Sequence, residues 1–157
     1  MPQNVLSDDE RRFLASARQA ILATAAPDGR PRLVPVCFVL GDGADSLGRP
    51  LLYTPLDEKP KLVEDPMRLA RVQDILVLPE ATVLVDRWDE DWGRLGWVRA
   101  YGTAEILEPQ PHEREEHARA AAALKDKYTQ YREQGIEDRP IIRIALTRAV
   151  SWGNLAA

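Results

Sequence analysis

From Leu95 to Leu107 the sequence alternates with a period of two. Val98, Ala100, Gly102, Ala104 and Ile106 fall on one face, and Trp97, Arg99, Tyr101, Thr103 and Glu105 on the other. A helix would spread these residues around its circumference, so the spacing predicts a long strand. Its small face suits close packing on a core. Its other face carries two large aromatics and an arginine, too large and apolar to meet water unprotected. Such a strand is central in its sheet or lies at a subunit interface. The rest of the chain must build a sheet around it and supply a cover for its aromatic side.

The remaining segments fit that requirement. Ser7-Asp8-Asp9-Glu10 has the form of a capping box opening a short helix, with Phe13, Leu14 and Ala17 as its buried side. Ala20 to Thr24 predicts a strand, Pro27-Asp28-Gly29 a turn, and Arg32 to Leu40 a returning strand, which together make a hairpin. Gly41 to Gly48 is a polar loop, and Leu51 to Thr54 a third strand ended by Pro55. Lys61 to Leu78 is expected to be helical in its first half, with Leu62, Leu69, Val72 and Ile75 apolar and a break at Pro66. Ala81 to Asp86 is a fourth strand. His112 to Arg132 is a helix whose Leu124, Tyr128 and Tyr131 form a packed stripe. In the last strand, Ile142, Ile144, Leu146, Val150 and Trp152 are expected on one face. Six strands at short spacing, with helices as insertions, predict a mainly β fold with α additions. The expected architecture is one domain over 1–157, a six-stranded antiparallel barrel.

Composition narrows the function. The chain has 157 residues, 45% of them hydrophobic, enough for an ordinary globular core. A net charge of −4 gives no reason to expect nucleic acid as a partner. No apolar run reaches the ~18–20 residues of a membrane span. The polar, acidic start, Met1 to Glu10, is no signal peptide, so a cytoplasmic location is expected. The lone Cys37 sits in an apolar run, and no Cys/His pattern has metal-ligand spacing. His112 and His117 are five apart on a charged helix and are expected on its solvated surface. No nucleophile–histidine set can be built from them. A protein without evident acid–base groups, but with an aromatic and anion-binding surface, fits a bound redox cofactor that carries the chemistry itself.

Three places offer such a surface. Tyr53-Thr54-Pro55-Leu56-Asp57-Glu58-Lys59-Pro60-Lys61 runs from a strand through two lysines to a helix start, a combination suited to an anion. Lysines there are also common on solvated loops. Trp88-Asp89-Glu90-Asp91-Trp92-Gly93-Arg94-Leu95-Gly96-Trp97 gathers three of the four tryptophans, marking a core edge, an interface or a stacking surface. The third is the aromatic face of the long strand.

These residues resemble a known family. Ala23-Thr24, Asp28-Gly29-Arg30-Pro31 and Val34-Pro35-Val36-Cys37-Phe38 are similar to the opening of the pyridoxamine-phosphate-oxidase-like proteins. Tyr53-Thr54 with Asp57-Glu58-Lys59-Pro60-Lys61 resembles the phosphate-binding stretch that follows. Asp86, Asp91-Trp92, Leu95, Trp97-Val98-Arg99 and Gly102-Thr103-Ala104 resemble a deazaflavin-dependent subgroup that uses coenzyme F-420. The resemblance runs from Arg18 to Trp152. It implies an FMN-binding-type split β-barrel, a homodimer, and two cofactor sites at the subunit interface. Val34, Pro35 and Val36 would line the ring. Tyr53, Thr54, Lys59, Pro60 and Lys61 would hold the phosphate-bearing chain, and Arg99 and Trp152 would come from the other subunit. The vitamin oxidases of this family carry further arginine and histidine contacts to substrate near the C-terminus. The stretch Arg148 to Ala157 lacks that pattern, which argues against pyridoxamine phosphate as the substrate.

The leading expectation is therefore an oxidoreductase moving hydride from reduced coenzyme F-420 to an unsaturated or quinone-like small molecule. The alternatives are an FMN enzyme of the same fold, and a carrier that binds a flavin, deazaflavin or haem without turnover. Arg30, Arg32, Arg68, Arg71 and Arg94 are the arginines available to line a polyanionic tail.

Overall fold

The computed structural model describes residues 4–56 and 65–157. Seven strands form one antiparallel sheet: β1 (Ala20–Ala25), β2 (Pro31–Val36), β3 (Val39–Ala44), β4 (Pro50–Pro55), β5 (Glu80–Arg87), β6 (Gly96–Leu107) and β7 (Ile141–Gly153). Their spatial order is β2-β1-β5-β6-β7-β4-β3. The long strand β6 is thus the fourth of seven, central as its sequence requires. Helix α1 (Asp8–Ser16) has the expected reciprocal capping box between Ser7 and Glu10. Helices α2 (Ala70–Val77) and α3 (Arg114–Lys127) complete the regular elements.

Two expectations about the strands are corrected. The sheet has seven strands rather than six, and its edge strands β2 and β3 do not pair to close it. The extra strand arises because the apolar run from Arg32 to Leu40 is two strands. Val36 ends the pairing with β1, and Val39 begins pairing with Tyr53 of β4. Between them Phe38 is fully buried, and its backbone is held by a side chain instead of a ladder. Its N–H donates to the Tyr128 hydroxyl at 3.2 Å. That hydroxyl lies 2.9 Å and 3.1 Å from the carbonyls of Arg18 and Phe38, one of which takes its proton. The buried tyrosine therefore satisfies the backbone where the chain passes from one edge of the sheet to the other. Gly41 to Ala44, expected as loop, continue β3, and the turn begins at Asp45.

The helices shift as well. In the stretch expected to be helical in its first half, residues 61–64 lie outside the described residues. Asp65 caps a short 3-10 turn at Pro66–Arg68, and the α-helix follows in the second half. Proline at a first turn is tolerated because its missing N–H needs no partner there. Helix α3 ends at Lys127, and Tyr128 and Tyr131 continue its stripe through a 3-10 turn with their rings edge-to-face at 5.6 Å. His117 is not on the surface. It is 2% exposed, and its Nε2–H donates to the Arg139 carbonyl at 2.7 Å. Among the described residues no helix is long and apolar enough to cross a membrane.

Two cores result. Leu22, Phe38, Leu52, Val83, Val98, Ala100, Ile142, Ile144 and Leu146 fill the inner face of the sheet, with Phe13 and Leu14 of α1 and Val72 and Ile75 of α2. Helix α3 packs Ala120, Ala121 and Leu124 on Leu51, Tyr53, Leu107, Ile141 and Ala145 of the outer face. One cation is buried at the end of α3. Lys127 Nζ has no hydrogen-bond partner and sits 4.1 Å from the Phe38 ring centroid. Burial, then repulsion from Arg18, pushes its ammonium from 10.5 down to about 8. The folded state thus holds this proton less tightly than the unfolded chain. The charged form costs stability at neutral pH, and the cost is relieved as pH rises from about 8 toward 10.5. Lys127→Met is expected to raise stability by about 1 kcal/mol at neutral pH, a figure reduced for solvent screening. Urea denaturation near neutrality and again at high pH should show that gain shrink once the wild-type lysine is neutral.

Candidate functional site

The register of the sheet arranges an open face. Helix α3 covers the outer side of β4 and the first half of β7, as far as Ala145. Beyond that limit the outward residues line up in rows across the strands. One row is Pro35, Ile21, Leu84, Arg99 and Val150, from β2, β1, β5, β6 and β7 in turn. The next is Leu33, Ala23, Thr82, Tyr101 and Arg148. On the other side lie Asp86, Trp97 and Trp152. The two cores take most of the helices' apolar residues, and this surface stays open among the described residues. Leu33 is 64% and Trp152 54% exposed. A contiguous apolar and aromatic surface of this kind marks an interaction site.

A single irregularity populates the C-terminal part of that face. Tyr101 pairs with Arg148, but its neighbour Gly102 pairs with Leu146, so Thr147 is an extra residue in β7. Its hydroxyl donates to the Tyr101 carbonyl at 3.2 Å. The bulge inverts the alternation of everything after it. Ile142, Ile144 and Leu146 point into the core, whereas Val150 and Trp152 point outward beside Arg99 and Trp97. The expectation that all five share one face is therefore corrected. An inserted residue has no signature in hydrophobic alternation, and Val150 and Trp152 fit either side by composition.

Arg99 is the polar centre of the face. Its guanidinium carbon lies 5.1 Å from the Trp97 ring centroid and 5.7 Å from that of Tyr101. Its Nε is buried with no hydrogen-bond acceptor. Arg148 approaches the Tyr101 ring at 5.3 Å. Among the described residues neither guanidinium forms an ion pair. Arg148 was not among the residues singled out in the sequence, because its outward direction depends on the bulge.

Of the expected site residues that are described, besides Arg99 and Trp152, Pro35 alone shares this face. In β2, Pro35 is outward and exposed, while Val34 packs against the main core and Val36 is buried within it. In β4, Tyr53 is buried under α3, where its hydroxyl donates to Glu116 at 2.6 Å. Burial and that carboxylate push its phenol well above the usual range. Glu116 also accepts from Arg143 at 2.5 Å, so this trio clasps α3 to the sheet. Thr54 is 1% exposed, and its hydroxyl has no partner. Lys59, Pro60 and Lys61 lie outside the described residues. Arg99 and Trp152 share the open face. In the sheet order, β1 and β5 separate β2 from β6. The chain thus gathers Arg99 and Trp152 in one place, with Pro35 on the same face but three strands away and the remaining β2 and β4 residues elsewhere.

The tryptophan-rich stretch is the tip joining β5 and β6. Trp88 and Trp92 are 66% and 72% exposed, so they belong to no core. Asp91 caps the 3-10 turn there by accepting from Gly93, and Asp89 pairs with Arg94 at 3.0 Å. The arginines proposed for a polyanionic tail are partly spoken for. Arg30 pairs with Asp28, Arg94 with Asp89, and Arg32 with the buried Asp74 at 2.7 Å. Burial opposes the charge on Asp74, but hydrogen bonds from Arg32 and Thr24 outweigh it and hold its carboxyl below the usual range. That trio fastens α2 to the β1–β2 hairpin.

This architecture has relatives. A conserved hypothetical protein from Mycobacterium tuberculosis is 25% identical with a TM-score of 0.69, over 95% of this chain and 86% of that one. A FAD-binding protein from Mesorhizobium loti is 22% identical with a TM-score of 0.62, over 93% and 94%. An F420 reductase is 18% identical with a TM-score of 0.62, over 92% and 98%. No curated protein matches the sequence. The match to pyridoxamine 5'-phosphate oxidase extends over residues 6–153, from the cap of α1 to the end of β7, and by that measure the chain belongs to the pyridoxamine 5'-phosphate oxidase family.

Proposed function

We propose that this chain is a coenzyme F-420-dependent oxidoreductase that works as a homodimer, with each cofactor between the open face of one copy and β2 and β4 of the other. The observation that carries this reading is the open face itself, a central strand with Trp97, Arg99 and Tyr101 outward and only half-buried among the described residues. A second copy related by a two-fold axis buries that surface, and the separation of Arg99 and Trp152 from β2 and β4 is bridged by the same operation.

The residues fit a flavin or deazaflavin. Arg99 Nε and Thr54 Oγ1 are buried polar atoms without partners, and both suit the phosphate- and hydroxyl-bearing chain of such a molecule. Trp152 offers an exposed ring for stacking. The bound cofactor supplies hydride transfer to a small unsaturated or quinone-like acceptor. The chain's own contribution is placement: the open face orients the ring, the second copy excludes water, and Lys59 and Lys61 hold the anionic chain. Tyr53, with its proton committed to Glu116, is a packing residue rather than a proton donor.

A second reading, FMN as the cofactor, has its own support. Arg30, Arg32 and Arg94 already pair with carboxylates of this chain, which leaves fewer cations for a polyanionic tail. Parallel titrations with coenzyme F-420 and FMN at low and high ionic strength separate the two. Coenzyme F-420 is expected to bind more tightly and to lose more affinity as salt rises, because its tail adds carboxylates that guanidinium groups recognise. Tighter FMN binding with little salt dependence reverses the choice of cofactor.

A further inference from the structure

We propose that the side-chain amine of Lys127 is a carbamylation site: it takes up carbon dioxide reversibly, and the carbamate so formed pairs with Arg18. The reaction needs neither the cofactor nor a second copy of the chain.

Lys127 is the last residue of α3, and its side chain reaches back to Phe38, where the chain passes from β2 to β3. Nζ is buried without a hydrogen-bond partner, 4.1 Å from the Phe38 ring centroid and 5.4 Å from that of Tyr128. The Arg18 guanidinium lies 4.5 Å from the same Tyr128 ring. Two cations thus meet at one ring, and among the described residues neither forms an ion pair. The other lysine of this helix is paired, since Lys125 reaches Glu137 at 2.6 Å. Arg18 and Cys37 are the charged and titratable groups whose fields reach Nζ. Tyr128 adds a neutral phenol whose oxygen serves the backbone of Arg18 and Phe38. An ammonium in this position has given up water and gained no acceptor, and Arg18 repels it. The neutral amine is favoured instead, which is why the ordinary value of 10.5 falls to about 8.

The neutral amine is the form that attacks carbon dioxide. The Nζ lone pair makes the new N–C bond, one C–O π pair moves onto oxygen, and the proton of nitrogen passes to solvent. Nothing is oxidised or reduced. The product replaces a cation by an anion at the same place. Arg18, which repels the ammonium, attracts the carbamate, so one neighbour favours both the reactive amine and its product. The buried, unpartnered nitrogen gains a pair of acceptor oxygens that a guanidinium fork matches. Carbon dioxide is small and apolar enough for a site walled by two aromatic rings, and the lysine stem is only partly buried. The carbamate–Arg18 pair would join the end of α3 to the segment between α1 and β1.

Incubation of the intact chain with carbon-13 carbon dioxide, followed by trapping with triethyloxonium ion and peptide mass spectrometry, tests the site. Lys127 is expected to carry at least about tenfold more label than Lys125, because its amine is far more often neutral near pH 8. A terminal amine ordinarily titrates near 8 as well, and peptide mapping separates its label from that of the lysines. At one fixed carbon dioxide pressure the label on Lys127 should climb as pH rises through about 8, where the ammonium loses its proton. Arg18→Gln should cut that label by about tenfold, the worth of one charge-assisted contact. Arg18 is exposed, so this variant is expected to keep the wild-type melting temperature. Carbon-13 NMR of the same sample should show a carbamate resonance that Lys127→Met removes. Label on Lys127 no greater than on Lys125, a resonance that survives Lys127→Met with no loss of intensity, or a folded Arg18→Gln protein that labels like wild type would overturn the site.

Discussion

Gly102→Ala is expected to cost about 3 kcal/mol, the largest loss of stability from adding one methyl group in β6. A Cβ on Gly102 would lie 2.4 Å from the Ala145 carbonyl oxygen and 2.8 Å from Ile144 Cγ2. The first is backbone of the neighbouring strand, which cannot move aside without giving up ladder bonds. Gly102 is also where the register shifts, so relieving the clash means closing the bulge. Closing it would return Arg148, Val150 and Trp152 to the inner side. For a chain of this length the loss corresponds to a fall of roughly 6–12 °C in melting temperature. Gly43→Ala is the control, because nothing lies within 4 Å of its Cβ position. A Gly102→Ala protein that melts with wild type would mean that the close approach at the bulge does not exist.

The second large effect concerns binding. Lys59→Ala with Lys61→Ala is expected to weaken flavin or deazaflavin binding by about a hundredfold or more. Each charge-assisted contact to a phosphate is worth roughly 1.5–3 kcal/mol, and two act together. Little change in folding is expected, as for most substitutions of a single charged side chain. Titration of the double variant with FMN and with coenzyme F-420 checks the first half, and a urea melt the second. An unchanged affinity would place the phosphate elsewhere.

How far the sequence led can be seen at particular residues. The long strand was legible because thirteen residues with strict alternation leave no helical solution, and β6 occupies Gly96–Leu107 as that pattern requires. The α1 cap and the turn at Gly29, whose φ is +85°, were legible because their chemistry is local. The break after Val36 was not. It depends on the Tyr128 hydroxyl, 90 residues away in sequence, replacing ladder hydrogen bonds at Phe38. His117 was misplaced for the same reason, since its burial depends on Arg139 coming to meet it from another segment. On the open face, Arg99 and Trp152 are the residues that the family resemblance named as cofactor contacts. That they share a face with each other and with Arg148 follows from one inserted residue in β7, which alternation alone cannot reveal.

The central claim is that each site is shared between two copies, and one measurement addresses it directly. Lys59→Ala/Lys61→Ala and Arg99→Gln/Trp152→Ala chains are given different tags, co-expressed, and purified as the mixed dimer. Each altered homodimer alone should bind no cofactor at concentrations that saturate wild type. In the mixed dimer, two-fold symmetry puts both defects into one site and leaves the other intact. Absorbance titration of the mixed dimer should therefore give one cofactor per two chains, at wild-type affinity. A mixed dimer that binds none, or an altered homodimer that still saturates, would contradict the shared site.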